Sequence, residues 1–224
     1  MGESDPKNYL GRCLEEYGIV MEGDLAAHEQ QKETIMWATD PSSFFSDRSN
    51  FTWMSGEYVF ECLRCGRCCT DLLAEDRGVL RGLTLLPEET ASFPDSMVKP
   101  AVGIGRRPHE RGFTVIAYQL TEETCPHLKG NLCGIYEERP SSCRQFPFSL
   151  RRGPDGEEQV GLDLNCPALQ GILGVNWPSL RFEERAHAER LMGIQVEASR
   201  RPGRAWHLDL GTGKWVRYRD MPRE

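Results

Sequence analysis

Cysteine thiols are the side chains of this sequence whose spacing most clearly predicts chemistry. The chain of 224 residues contains nine cysteines, and eight of them form two groups of four. The first group, with two overlapping Cys-x2-Cys steps, is Cys62, Cys65, Cys68 and Cys69, and the second is Cys125, Cys133, Cys143 and Cys166. Because Cys-x2-Cys lets two thiolates turn round a tight loop onto one ion, we expect these eight residues to be metal ligands. Burial as small hydrophobic side chains, or disulfide pairing, is the alternative that this spacing disfavours.

The start of the chain favours a reducing compartment, in which thiols are free to bind metal. Residues Met1 to Asn8 carry neither the basic segment nor the apolar segment of a secretory signal. We therefore expect a cytoplasmic location, where disulfides are rare. The odd number of cysteines agrees with this, and the ninth, Cys13, is interpreted as a lone thiol.

The metal itself is left open between zinc and an iron–sulfur cluster. The run from Cys62 to Cys68 matches the three thiolates of bacterial ferredoxins, and either Cys125 or Cys166, each followed by proline, could supply the fourth. Two Cys-x2-Cys steps are equally suited to zinc. The side chains at the adjacent positions Cys68 and Cys69 are expected to diverge, which favours two sites or one site with a spare thiol.

Positive side chains next to the cysteines could balance the charge of a thiolate centre. Four thiolates around a zinc ion, or around an oxidised 4Fe–4S cluster, leave a formal charge of about −2. The candidate counter-charges are Arg64, Arg67, Arg139 and Arg144. Ordinary surface arginines are an equally good interpretation of these four residues.

Composition disfavours a membrane span and a general nucleic-acid binder. No stretch approaches the roughly 18 to 20 uninterrupted apolar residues of a membrane-spanning helix, and mean hydropathy is −0.52. The net charge of −7 argues against binding by general attraction to phosphates. The charge is uneven, because residues 1–61 hold 12 acids and 4 bases whereas residues 181–224 hold 10 bases and 7 acids. Two solvated faces explain this asymmetry more simply than docking of the acidic segment on the basic one.

Hydrophobic periodicity and turn residues predict short strands with a few helices. The expected strands are Tyr58 to Cys62, Thr114 to Leu120 and a hairpin over residues 206–218. The expected helices are a weak one at Asp24 to Ala38 and an amphipathic one at Pro178 to Ser199, and Pro100 to Gly112 is interpreted as a loop.

The segment between Cys143 and Cys166 predicts another β-hairpin. Two strand-like runs, residues 146–152 and 158–164, flank a turn of Gly, Pro, Asp and Gly at 153–156. If the hairpin is symmetric about that turn, residue i faces residue 309 − i, and Cys143 meets Cys166 at its base. Alternating apolar residues in both runs agree with a half-buried hairpin.

The order of these cysteines and the short motifs between them closely resemble a known family. The motifs are Cys62-x2-Cys65-x2-Cys68-Cys69, Ile135-Tyr136, Arg139-Pro140 and Cys143-Arg144-x-Phe146-Pro147, within about residues 58–170. They resemble the cysteine-cluster family described as a zinc- or iron-chelating domain, which implies a metal-chelating domain here. Some relatives are flagellin lysine-N-methylases, which implies a second hypothesis, S-adenosylmethionine-dependent methylation of protein lysines.

These observations predict an α+β fold: a small, irregular, metal-organised domain with short β-hairpins and flanking helices. We expect that domain at residues 56–170, after a partly helical N-terminal appendage at 1–55 and before a C-terminal helix and hairpin at 171–224 that pack on it. The favoured function is binding of zinc or an iron–sulfur cluster through thiolates, in an accessory or redox role. A protein-lysine methyltransferase and a zinc-organised interaction module are the alternatives, and both enzymatic activity and a protein partner are left open.

Overall fold

The computed structural model describes residues 35–38, 58–60, 62–153, 155–163, 165–170, 180–181 and 184–222. Its chain divides into two units that interleave in sequence. The first unit is Met1–Leu63 with Pro147–Glu183, and the second is Arg64–Phe146 with Glu184–Glu224. No helix in the described ranges is long and apolar enough to cross a membrane. The three-part domain division expected from the sequence stays a prediction.

Strands and short helices alternate along the described chain, which confirms the α+β class. The strands are β1 (Ile35–Ala38), β2 (Tyr58–Val59), β3 (Ala74–Asp76), β4 (Val79–Arg81), β5 (Thr84–Leu85), β6 (Val98–Ile104), β7 (Thr114–Leu120), β8 (Leu128–Lys129), β9 (Leu132–Cys133), β10 (Phe148–Arg152), β11 (Glu158–Asp163), β12 (Leu180–Arg181), β13 (Ala205–Leu208) and β14 (Trp215–Arg217). The α-helices are α1 (Ser141–Gln145), α2 (Pro167–Gln170) and α3 (Arg185–Arg200). Turns of 3-10 helix occupy Arg67–Cys69, Pro87–Ser92, Asp95–Met97, Tyr136–Glu138 and Tyr218–Asp220.

The first unit is built on a three-stranded antiparallel sheet in the order β1-β11-β10. Strands β2 and β12 form a separate parallel pair. The ring of Phe60 packs edge-on against Phe148 of β10, with ring centroids 5.8 Å apart. Strand β2 is shorter than the strand expected at Tyr58 to Cys62.

The hairpin of β10 and β11 is confirmed, but its register is one residue away from the predicted one. Phe148 pairs with Leu162 and Leu150 with Val160, so residue i faces residue 310 − i. Directly paired residues share a face of the sheet. The apolar residues of both strands have even numbers, so they lie on the same face only when the two residue numbers of each pair add to an even total, as 310 is. At this register Cys143 would face position 167 instead of Cys166, and the meeting of the two cysteines stays a prediction.

Residues Ile35–Ala38, predicted as the end of a helix, form β1 instead. They pair antiparallel with β11, from Ile35 opposite Asp163 to Ala38 opposite Val160. The edge of β11 supplies partners for the backbone of this short apolar run, and such a run does not by itself distinguish a strand from a helix. The rest of the predicted helix, residues 24–34, lies outside the described residues.

The second unit is built on a five-stranded antiparallel sheet in the order β14-β13-β6-β7-β5, with two small hairpins, β3–β4 and β8–β9. Strand β7 has the predicted bounds, and β13 with β14 confirms the predicted C-terminal hairpin. Helix α3 begins at Arg185, later than the predicted Pro178, because Leu180 belongs to β12.

Residues 100–104, predicted as part of a loop, belong to the central strand β6. A proline is tolerated at position 100 because β13 pairs only with residues 102–104 of this strand. The pairing with β7 shifts register between Pro100 and Val102. The predicted loop is therefore confined to the connection between Ile104 and Thr114.

Small side chains let helix α3 lie close against one face of this sheet. Ala198 of α3 is fully buried in a cluster with Ala101, Ala117 and Ala205 of the sheet. Ile194 of the helix packs against the same cluster. Close packing of this kind tolerates little change in side-chain volume.

His207 is a buried base inside the second unit, with 5% of its surface exposed. Its ring contacts the guanidinium of Arg81 and lies 5.6 Å from the ring of Tyr218. Burial, together with the positive charges of Arg81 and Arg77, lowers the pKa of His207 to about 3. Arg81 in turn forms an ion pair with the carboxylate of Asp76.

We expect His207 to make the protein sensitive to acid. Histidine has an ordinary pKa of 6.5, whereas folded His207 stays neutral down to about 3, so between these values the unfolded chain binds more protons. The free energy of unfolding should therefore fall as pH falls, by up to about 1.4 kcal/mol per pH unit. Urea unfolding at about pH 7 and about pH 5 should show a smaller loss in His207→Gln than in the wild type. The exposed His109→Asn is the control, and an unchanged pH dependence in His207→Gln would contradict the assignment.

Candidate metal centre

The structure distributes the eight predicted ligands over both units. The second unit contains Cys65, Cys68, Cys69, Cys125, Cys133 and Cys143, and the first contains Cys62 and Cys166. None of these eight cysteines forms a disulfide. Cys65 is exposed, whereas Cys69 and Cys125 are buried.

A tight turn brings two adjacent cysteines of the first group together. Gly66 has a φ of +76°, and the amide of Cys69 donates to the Gly66 carbonyl at 2.9 Å, which starts the 3-10 helix Arg67–Cys69. Successive side chains of a 3-10 helix are rotated by about 120°, not by the 180° of a strand. The expectation that Cys68 and Cys69 diverge is therefore wrong, because their side chains hydrogen-bond to each other.

Backbone hydrogen bonds bring the second group to the first. The amide of Cys125 donates to the Cys69 carbonyl at 2.8 Å. From there the chain turns into the β8–β9 hairpin, in which Leu128 pairs with Cys133. The short helix α1 then carries Cys143, whose amide donates to the Pro140 carbonyl at 2.9 Å.

Three thiols form a hydrogen-bonded chain centred on Cys69. Its bonds to Cys125 and Cys68 raise the pKa of Cys69, which retains its proton as the donor. The same bonds are the main cause that lowers the pKa of Cys68 to about 7 and of Cys125 to about 6. Two sulfurs that ionise near neutral pH thus flank a third that donates to them.

Two further cysteines lie in the same electrostatic environment. Burial raises the pKa of the Cys143 thiol, and the negative charges of Cys68, Cys125 and Cys133 raise it further. The positive charge of Arg139 acts in the opposite direction. Cys143 is therefore close enough to Cys68, Cys125 and Cys133 to interact with the charge of each.

Tyr136 is stacked between two arginines beside these thiols. The guanidinium of Arg139 lies 3.8 Å from the centre of the Tyr136 ring, and that of Arg64 lies 4.1 Å from it. The Nε of Arg139 also donates to the Tyr136 carbonyl at 2.8 Å. Because Arg139 lowers the pKa of Cys68, this stack holds a counter-charge at the cysteine cluster.

The other candidate arginines have different partners. Arg144 donates to the carbonyls of Arg139, at 2.9 Å, and Glu137, and its guanidinium lies 3.5 Å from Glu184. Arg67 forms an ion pair with Asp71 at 3.1 Å. Arg144 thus supports the segment that positions Arg139.

Residues that the sequence analysis missed anchor helix α1, which carries Cys143. Glu89 accepts hydrogen bonds from the amide and the hydroxyl of Ser141, at 2.7 and 2.6 Å. The hydroxyl of Ser141 lies 3.0 Å from Nδ1 of His187 on α3. Glu89, Ser141 and His187 are too far apart in the chain for a spacing rule to connect them. Tyr136, in contrast, belongs to the Ile-Tyr motif, which is visible in the sequence.

The chemistry of the donor set suits a thiophilic metal. Sulfur ligands and a fixed guanidinium are appropriate to zinc or to iron–sulfur clusters. Two sulfurs on one zinc ion, at Zn–S bonds of about 2.3 Å, lie about 3.8 Å apart, a spacing at which thiols can also hydrogen-bond. Within the described part of the chain, no three His, Cys, Asp or Glu side chains are placed so that together they could hold one metal ion.

Comparison with known proteins supports the same chemistry. Residues 61–167 match the family model CxxCxxCC, described as "Putative zinc- or iron-chelating domain". The chain has no match among the curated proteins or the solved structures. The matched segment contains all eight cysteines of the two groups, together with Tyr136 and Arg139. Over residues 61–167, the chain is therefore similar to the CxxCxxCC family of zinc- or iron-chelating domains.

Proposed function

We propose that this chain is an accessory metal-binding protein with a thiolate centre in its second unit. The proposed ligands come from the five cysteines that share one electrostatic environment: Cys68, Cys69, Cys125, Cys133 and Cys143. The observation that carries the proposal is the meeting of these cysteines in one cluster, where Cys68 packs against the buried Cys69 and Cys125 and the Cys125 amide donates to the Cys69 carbonyl at 2.8 Å. Cys62, Cys65 and Cys166 remain candidate ligands on the strength of their spacing.

The surroundings of the thiols support a preorganised site. Cys69 and Cys125 belong to a hydrophobic cluster that includes the fully buried Leu85 and Leu120. Side chains packed in such a cluster have few alternative positions, so ligands attached to it are held in place before metal binds. Rotation of the thiols would exchange their mutual hydrogen bonds for bonds to metal.

The number of thiols suits either zinc or an iron–sulfur cluster. Both centres take four thiolates, and the five cysteines can supply four with one to spare. Zinc would give a structural centre without redox chemistry. An iron–sulfur cluster would add electron transfer, which is the redox role that we propose for the protein in that case.

Metal analysis of protein purified without oxygen tests this proposal. We expect either brown protein that contains iron and sulfide and has charge-transfer absorption, or colourless protein that contains stoichiometric zinc. Full-length protein that carries neither metal, and that takes up neither on reconstitution, would contradict the proposal.

Loss of the buried Cys125 should weaken metal binding. Cys125→Ser replaces a thiolate of the cluster with a hydroxyl, which is a poor ligand at neutral pH. The metal-to-protein ratio, measured by elemental analysis, should fall well below that of the wild type, because the spare fifth thiol does not occupy the position of Cys125. The control is Cys13→Ser, which lies outside the matched segment and should leave the ratio unchanged. Full metal content in Cys125→Ser would exclude Cys125 as a ligand.

Arg139 should strengthen metal binding through its charge. Arg139→Gln removes the counter-charge beside Cys68 and should weaken affinity by roughly 10-fold, the lower end for groups next to metal ligands. Arg139→Lys keeps the charge but loses the planar stack on Tyr136, so an intermediate value is expected. Affinity is measured by competition with a chromophoric chelator. Lys129→Gln makes the same charge change at an exposed position, and equal affinities of Arg139→Gln and Lys129→Gln would contradict the role.

A further inference from the structure

One face of the five-stranded sheet is turned away from helix α3. Strand β13 directs Ala205 into the cluster that packs against the helix. The next residue, Trp206, points to the opposite face, because side chains alternate along a strand. Trp206 pairs with Gly103 on one side and Arg217 on the other. Paired residues share a face, so Arg217 lies beside Trp206.

Three aromatic rings gather on this face. A side chain at Gly103 would place its Cβ 2.2 Å from the Phe113 ring, so the glycine leaves room for that ring to lie across β6. Phe113 meets Trp215 edge-on, with ring centroids 5.1 Å apart. The indole nitrogen of Trp206 donates to the Gly105 carbonyl at 3.1 Å. All three rings remain partly exposed.

Arginines surround the rings. The guanidinium of Arg217 lies 4.6 Å from the ring centre of Trp206. The carbonyl of Arg204 accepts the amide of Gly105 at 2.8 Å, which places Arg204 beside the loop after β6. That loop carries the exposed Arg106 and Arg111. Within the described residues, none of these four arginines has an acidic partner.

We propose that this surface, the aromatic–arginine face, binds single-stranded nucleic acid. It is defined by Phe113, Trp206, Trp215 and Arg217, with Arg106, Arg111 and Arg204 at its edge. Arginines would contact the phosphates, and the partly exposed rings would stack with unpaired bases. The proposal rests on the sheet and its loop, and it does not depend on the metal centre.

The combination of rings and unpaired arginines favours this ligand over an acidic protein. An unpaired strand presents phosphates and flat bases at once, whereas an acidic peptide presents carboxylates without stacking surfaces. The net charge of −7 disfavours general attraction to phosphates, but it belongs to the whole chain and does not describe each region. Residues 64–146 and 184–224, which form the second unit, contain 20 bases and 17 acids.

Binding of labelled single-stranded RNA and DNA by the full-length protein tests the proposal. Fluorescence anisotropy at several salt concentrations should show salt-sensitive binding. The triple variant Arg106→Gln, Arg111→Gln, Arg204→Gln should reduce the slope of log affinity against log salt concentration by about 2, since each phosphate contact on a single strand contributes about 0.7. The triple variant Lys99→Gln, Lys129→Gln, Arg190→Gln has the same net charge and should leave that slope unchanged.

Tryptophan fluorescence distinguishes base stacking from simple charge attraction. Oligonucleotide binding should quench the fluorescence of the wild type, and Trp215→Leu should weaken binding about 10-fold. Circular dichroism checks that this variant is folded. Trp206→Phe keeps an aromatic ring and should retain most of the affinity while losing part of the quenching.

Three results would overturn the proposal. The first is no oligonucleotide binding at low salt. The second is equally tight binding of polyglutamate or of anionic lipid vesicles, which would show that charge alone acts. The third is equal loss of affinity in the two triple variants. None of these results bears on metal content, so failure of this proposal and failure of the metal-binding proposal are distinguishable.

Discussion

Several thiols lie together in the second unit, and the surrounding residues must stabilise the negative charge of those that ionise. Cys69 and Cys125 belong to the hydrophobic cluster under the sheet, where an uncompensated charge is costly. Two features of the structure stabilise this charge. The Cys69 thiol donates to its neighbours, and Arg139 supplies a positive charge that is fixed by its stack on Tyr136. A bound cation would be a third and stronger response, because it neutralises the thiolates directly.

This constraint explains why the arginine and tyrosine motifs accompany the cysteines. Tyr136 orients Arg139 through its ring and through its carbonyl, and Arg144 donates to the carbonyls of two residues in the same segment, Glu137 and Arg139. Helix α1 is held in turn by the hydrogen bond from the buried Ser141 to the partly buried Glu89. The positions of the thiols therefore depend on groups that are not ligands, and this makes the centre part of the fold of its unit.

The sequence predicted the parts of this arrangement that depend on local patterns. Strand β7, the C-terminal hairpin and the pairing of β10 with β11 follow from alternation and turn residues. The even register of that hairpin was implicit in the positions of Phe148 and Leu162, whereas symmetry about the turn predicted an odd register. The contact of Cys68 with Cys69 depends on one 3-10 turn after Gly66, and the approach of Cys125 to Cys69 depends on a backbone hydrogen bond between distant segments. Spacing alone determines neither.

The central claim is that cysteine sulfurs from distant parts of the chain surround one inorganic centre. X-ray absorption spectroscopy at the metal edge of the loaded, full-length protein tests it most directly, since it counts the ligand atoms by element. The account predicts a first shell of about four sulfurs, at about 2.3 Å for zinc. A first shell of nitrogen and oxygen, with one sulfur or none, would contradict it.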